Sequence, residues 1–330
     1  MVDAIRTDGL QLHLFVGNAS DGYLSGLGIR PDDVVYSERE KWIASMGIDR
    51  GRGRTSYLAN AGEIVKMRGP LHLGRDQIPT LLKLQRRGGK LMQSGAGIRD
   101  VTGAGKLARL SVLRRFDLLT WRDPESRAYV SRGRVAPDWG FLSHDPVLTG
   151  EIEGVPQRRT LAVTLRGDRP EPSADWYDAV RALADRLDLE ITPFAQVRRD
   201  DERAHALADR LGASRVVSWE SDDHAVQEHS VRELFRASAA VISDRLHALI
   251  IGATEGAYPL GLPAGNPEKL VRTLAPADFE TFLSGSNDAQ RWLATADTER
   301  LRGDLKQKMS VAQQSLRGIA SEILELLDVR

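Results

Sequence analysis

The chain has 330 residues and no cysteine. A disulfide frame, a thiolate nucleophile and a cysteine-based metal site are thereby excluded, which suits a reducing compartment. Net charge is missing too. The chain has 46 Lys and Arg against 46 Asp and Glu, a balance that argues against a general nucleic-acid binder. No stretch approaches the ~20 apolar residues of a spanning helix. The first residues lack a basic segment ahead of an apolar core, so no signal peptide is expected, and the protein reads as cytoplasmic. The 7 His are scattered without HxH or HExxH spacing, and no metal is expected. No internal repeat of solenoid period is visible. What remains is 41% hydrophobic and 28% charged, enough for a substantial core, in a length that suits two domains of ordinary size or one large one.

The second half of the chain alternates strand and helix signals. Residues 160–165 form an apolar strand that runs into Arg166-Gly167-Asp168. Trp176, Val180, Leu183 and Leu187 then recur at helical steps. Residues 189–194 read as a strand. Asp200-Asp201-Glu202 opens a helix whose acids suit its dipole, and Gly212 stops it. Residues 215–219 read as a strand, followed by a helix around Val231. A short strand at 258–262 and a helix opened by Gly265-Asn266-Pro267-Glu268-Lys269 come next. Such alternation makes a parallel, Rossmann-like domain. At the far end Leu316, Ile319, Ile323 and Leu326 mark an amphipathic helix.

The first half is similar but less regular. Strands are expected at 10–16, 33–36, 56–60, 90–93 and 116–121, and helices at 38–46, 75–87 and from Pro124. Gly51-Arg52-Gly53-Arg54 reads as a basic surface loop. Ser94-Gly95-Ala96-Gly97 reads as a Gly-rich turn after a strand; no GxGxxG follows, so no nucleotide is inferred from it. Residues 150–159 are polar, contain Gly154 and Pro156, and read as the linker between domains.

The most informative stretch is Ser243-Asp244-Arg245-Leu246-His247, between a β-branched run at 239–242 and an apolar helix that reaches Ala253. Ser243 and Asp244 offer N-cap side chains. A helix start presents unpaired N–H groups and partial positive charge. A guanidinium and an imidazole added there make an anion site that also holds a proton-transfer group.

Ser243-Asp244-Arg245-Leu246-His247-Ala248-Leu249-Ile250-Ile251 resembles the signature of the polysaccharide pyruvyl transferase family, where an Arg-Leu-His triplet opens an apolar helix after a strand. Arg122-Asp123-Pro124-Glu125-Ser126, with Asp138 before Trp139, resembles the family's Arg-Asp-x-x-Ser segment and its later Asp before an aromatic residue. Arg122 and Asp123 are read as loop-fixing residues. Arg166 stands where the family carries an arginine facing the anionic donor, and Lys269 where a lysine borders the cleft. Asn18 and Asp21 loosely match an early acceptor-side loop. Of the family's glycine run near residue 62, this chain keeps Gly62 alone.

The resemblance implies an α/β protein with two Rossmann-like domains facing across a cleft, a GT-B-like arrangement. Boundaries are expected at 1–154 for the acceptor side and 155–295 for the donor side. The helical tail, 296–330, is expected to cross back to the first domain, with self-docking or homo-oligomerisation as alternatives. It implies transfer of the pyruvyl group of phosphoenolpyruvate onto hydroxyls of a sugar, oligosaccharide or lipid-linked saccharide, forming a pyruvate ketal. Phosphoenolpyruvate is then a substrate, and no cofactor is needed. A lipid-linked acceptor would bring the protein to the inner membrane face. Arg166 and Arg245 would hold the donor with Leu246 amide support, and His247 would transfer protons. A helix start lowers a histidine pKa and a bound phosphate raises it, so acid-first and base-first orders both stay open. Two other readings share the architecture: a nucleotide-sugar glycosyltransferase or epimerase, and a non-catalytic carbohydrate-binding protein.

Overall fold

The computed structural model describes residues 1–47, 54–59, 62–64, 77–99, 112–143, 158–263, 265–279, 292 and 294–329. The expected linker lies outside them except for Arg158 and Arg159, and so do Gly51, Arg52 and Gly53 of the basic loop. Contacts divide the chain into two compact units, Met1–Trp139 with Gln314–Arg330, and Gly140–Gln313. These divisions differ from the boundaries at 154 and 295 expected from the sequence. Both units are α/β with parallel sheets.

The first unit begins with α1 (Val2–Ile5), β1 (His13–Phe15), α2 (Asp21–Leu24), β2 (Val34–Tyr36) and α3 (Arg39–Met46). β1 and β2 form a parallel pair of their own. β3 (Tyr57–Ala59), β4 (Gly62–Ile64), α4 (Gln77–Arg86), β5 (Leu91–Ile98), β6 (Leu118–Trp121), α5 (Pro124–Val130) and β7 (Arg134–Val135) follow. The main sheet runs β3-β5-β6-β7, and β4 pairs with the second half of β5. Leu81, Leu84, Leu91, Ile98, Leu119 and Trp121 are buried in its core.

β5 corrects one expectation. The glycine stretch at 94–97 is not a turn; it continues the strand, and all eight residues of β5 are buried. Gly95 bends the backbone at φ +75°, and the register with β6 shifts there. At Gly97 an added Cβ would lie 2.7 Å from Arg122 Nε and 2.9 Å from Asp123 Oδ2. The glycine therefore lets the Arg122-Asp123 loop lie on the strand. Asp123 caps α5, accepting from Ser126 N at 2.7 Å and from Ser126 Oγ at 2.8 Å. Arg122 pairs with buried Asp138 at 3.3 Å. Both residues are thus engaged inside their own unit.

The second unit contains β8 (Thr160–Thr164), α6 (Ala174–Leu187), β9 (Glu190–Pro193), α7 (Asp201–Leu211), α8 (His224–Ala237), β10 (Ser238–Ser243), α9 (Leu246–Thr254), β11 (Tyr258–Gly261) and α10 (Glu268–Leu274). The strand expected at 215–219 is reduced to one bridge, Phe194 to Val217. α8 starts earlier than its apolar face suggests, because Asp223 caps it through Ala225 N at 2.9 Å. The sheet order is β11-β10-β8-β9, and the bridge adds Val217 beyond β9. In chain order this is 5-4-1-2-3, the doubly wound pattern, with its switch point between β8 and β10. β10 is buried on both faces, and α9 buries Leu246, Ala248, Leu249, Ile250 and Ala253. At the strand starts, fully buried Glu255 meets Arg232 and, at 2.9 Å, Arg236.

The last helix, α11 (Thr298–Leu326), is far longer than the apolar repeat at its end. Its residues from Gln314 onward group with the first unit. Within that unit Glu322 pairs with Arg134, and Asp328, beyond the helix, pairs with Arg54.

Candidate functional site

The carboxyl ends of β8 and β10 lie side by side, with Thr164 opposite Ser243. In a doubly wound sheet the chains leaving these strands part to opposite sides, which opens a crevice at the switch point. Arg166 follows β8 by two residues and Arg245 follows β10 by two. Both sequence-predicted arginines are therefore carried to one edge of the sheet.

Backbone and carboxylates tie this edge together. Asp244 Oδ1 accepts from Arg166 N at 2.8 Å. Ser243 Oγ accepts from Arg245 N at 2.8 Å. Neither side chain caps α9: its N-cap is Arg245, without a side-chain cap bond, which corrects the expected capping. The physical reason is competition. Asp244 reaches across to the neighbouring strand end, and Ser243 closes a tight turn on its own chain. His247 falls in the first turn of α9 and is exposed, while Leu246 is buried. The amides of Leu246 and His247 are the first of the helix, where the dipole favours anions.

The two guanidiniums are already engaged, which the sequence did not suggest. Arg166 forks onto Asp168, Nε to Oδ1 at 2.8 Å and Nη2 to Oδ2 at 2.6 Å. That pair is open to water, with side chains 24% and 46% exposed. The contact holds Asp168 well below the usual carboxylate range and raises Arg166. Arg245 forks onto Asp200, whose Oδ1 takes Nη2 at 2.6 Å and whose Oδ2 takes Nε. Asp200 is fully buried. Its Oδ1 also accepts from Gly167 N at 2.9 Å. Burial pushes the Asp244 carboxyl up, against the lowering effect of the Arg166 N–H and of the Arg245 and Arg166 charges.

Asp200 is the residue that sequence reasoning missed. Read alone, an acid at a helix start looks like a complement to the dipole. Its partner lies 45 positions away, and no local spacing signals that pair. Lys269 lies in the first turn of α10, half-buried. Asn18 and Asp21 belong to the first unit, where both are exposed around the start of α2. Among the described residues, no group of His, Asp and Glu is arranged to hold a metal ion.

A family model described as polysaccharide pyruvyl transferase matches residues 21–263. The match takes in Asp21, Arg166, Arg245, Leu246 and His247, and leaves out Asn18 and Lys269. A comparison of the sequence with curated proteins gives no match. Solved structures similar to the chain include the OtsA apo structure, at 12% identity over 80% of this chain and 72% of that one, with a TM-score of 0.39. The glycosyltransferase SnogD from Streptomyces nogalater is 14% identical over 83% of this chain and 100% of its own, with a TM-score of 0.28. The E. coli ADP-heptose lps heptosyltransferase II is 11% identical over 77% and 98%, with a TM-score of 0.27.

Proposed function

The chain belongs to the polysaccharide pyruvyl transferase family, and on that premise we propose that it moves the pyruvyl group of phosphoenolpyruvate onto two hydroxyls of a saccharide and closes a pyruvate ketal. The observation that carries this reading is the meeting of Arg166, Asp244 and Arg245 at the switch point of the second unit, with His247 in the adjoining helix turn.

The donor bears a carboxylate and a phosphate, and a guanidinium fork fits either group. The two arginines take unequal parts. The Arg166 pair with Asp168 is exposed, and an exposed pair holds its partners weakly. The donor therefore displaces Asp168 and takes the Arg166 fork. Arg245 stays on Asp200 and presents its remaining N–H edge, together with the Leu246 and His247 amides. Lys269 adds a further cation.

The first sugar hydroxyl gives up its proton as its oxygen attacks C2 of the enolpyruvyl group, and a proton is delivered to C3. The C2–O bond to phosphate then breaks, and its electron pair leaves with the phosphate. The second hydroxyl closes on C2 and loses its proton. His247 carries protons in this sequence, since imidazole titrates near neutrality. The leaving group travels with the donor, and the reading calls for no cofactor. Among the described residues no helix is long and apolar enough to cross a membrane. A lipid-linked acceptor would bring the protein to the inner membrane face from the cytoplasm.

Phosphate release from phosphoenolpyruvate with a panel of sugars tests the reading. Activity is expected with phosphoenolpyruvate, and thermal stabilisation by it rather than by UDP-sugars. His247→Ala should abolish turnover while donor binding survives. Turnover near wild-type rates would refute the role of His247, and stabilisation by UDP-sugars alone would favour a glycosyltransferase.

A further inference from the structure

We propose that Asp200 is the positioning residue of the donor site: without touching the donor, it fixes the fork of Arg245 and the turn after β8. This inference rests on the donor reading above.

Three strand ends converge on this one carboxylate. From the β10–α9 junction come Nε and Nη2 of Arg245, the latter at 2.6 Å. From the turn after β8 comes the amide of Gly167, at 2.9 Å. Asp200 itself follows β9 and immediately precedes α7. It is fully buried, while the Arg245 side chain keeps 11% exposure. A bidentate bond to a buried carboxylate leaves the guanidinium almost no rotational freedom, so its outer edge faces one direction. The Arg166 pair with Asp168 is solvated by contrast and free to exchange.

Gly167 makes the arrangement specific. An added Cβ there would meet the Arg199 carbonyl oxygen at 2.4 Å. The β8 turn and the residues before Asp200 are thus pressed together, and the carboxylate is the bond that holds them in register. Its negative charge also offsets that of Arg245 in a largely buried place before any anion arrives. Asp200→Ala would strand that charge. Asp200→Asn keeps the shape but offers one acceptor oxygen where the carboxylate offers two.

The test is calorimetric titration of the full chain with phosphoenolpyruvate and, separately, inorganic phosphate. Asp200→Asn should weaken phosphoenolpyruvate binding about tenfold, and Asp200→Glu, which keeps the charge, should recover part of the loss. In an Arg245→Lys background, where no fork exists to be positioned, Asp200→Asn should change affinity less than about twofold. A purely scaffolding role predicts a lower Tm in both backgrounds with unchanged affinity, and that result overturns the proposal. Tighter binding by Asp200→Asn would also overturn it, since Asp200 would then compete with the donor. If Asp200→Asn does not fold, Asp200→Glu decides alone, and wild-type affinity in it refutes the proposal. A wild-type protein that binds neither probe brings down the donor reading itself, and this inference with it.

Discussion

Replacing Gly167 by Ala isolates the contact on which the strand-end network depends. The new methyl carbon would stand 2.4 Å from the Arg199 carbonyl oxygen. Close carbon–oxygen contacts in proteins settle at about 3.3 Å, so the turn must retreat by about 0.9 Å. The Gly167 N to Asp200 Oδ1 bond, now 2.9 Å, would open beyond hydrogen-bonding range. Loss of a bond to a charged acceptor costs about 1.5–3 kcal/mol. Crowding a packed site costs a further ~1–3 kcal/mol. Relief of the first strain loses the second bond, so the terms overlap, and the lower entropy of the unfolded alanine chain returns about 0.5 kcal/mol. The net is a destabilisation of about 3 kcal/mol, or roughly 9 °C in Tm for a unit of this size. Scanning calorimetry of the full chain should place that shift in the transition of the second unit, and phosphoenolpyruvate should stabilise the variant less than the wild type. A Tm within a degree of wild type would refute the close approach and the network built on it.

Glu255→Ala should destabilise by about 3 kcal/mol, the low end for a broken buried pair because Arg236 is partly in water. Urea unfolding reads that loss, and turnover per folded molecule should be unchanged because this cluster lies at the opposite end of the strands. Asp123→Ala removes the α5 cap and should cost about 2 kcal/mol by urea unfolding; a loss below about 0.5 kcal/mol would mean water replaces the cap. Asp244→Asn concerns pH. Burial raises this carboxyl, so the fold favours its protonated form, and the penalty for charging it grows as pH rises through the window between the ordinary and the raised value. Asparagine keeps the acceptor for Arg166 N without the charge. The variant should therefore be the more stable protein at neutral pH, with the difference vanishing below about pH 3. Greater wild-type stability at neutral pH would reverse the assignment of cause.

Much of the second unit could be read from the residues because burial leaves a plain mark. A central strand enclosed on both faces must be apolar throughout, as β10 nearly is, and a buried helix must be apolar all round, as α9 is. Arg166 and Arg245 stand out for the same reason, as cations just past such strands, and the paired strand ends carry both to one edge of the sheet. Glycine misled at 94–97, since the same residue serves turns and close approach, and only Arg122 lying on Gly97 tells which applies. The acids misled for a related reason. Asp168 and Asp200 look like ordinary loop and helix-start residues, yet each takes up a guanidinium. The Asp168 pair spans two residues and the Asp200 pair 45, and neither spacing is a pattern that a sequence displays.

The last helix gives the first unit a split ancestry along the chain. Residues up to Trp139 need Gln314–Arg330 to complete their unit, and Leu316, Ile319 and Ile323 of that closing segment are buried. During synthesis Met1–Trp139 precedes Gly140–Gln313, yet its unit is complete only once Gln314–Arg330 has followed. A stop codon just before residue 314 would therefore spoil the unit to which the earlier residues 1–139 belong.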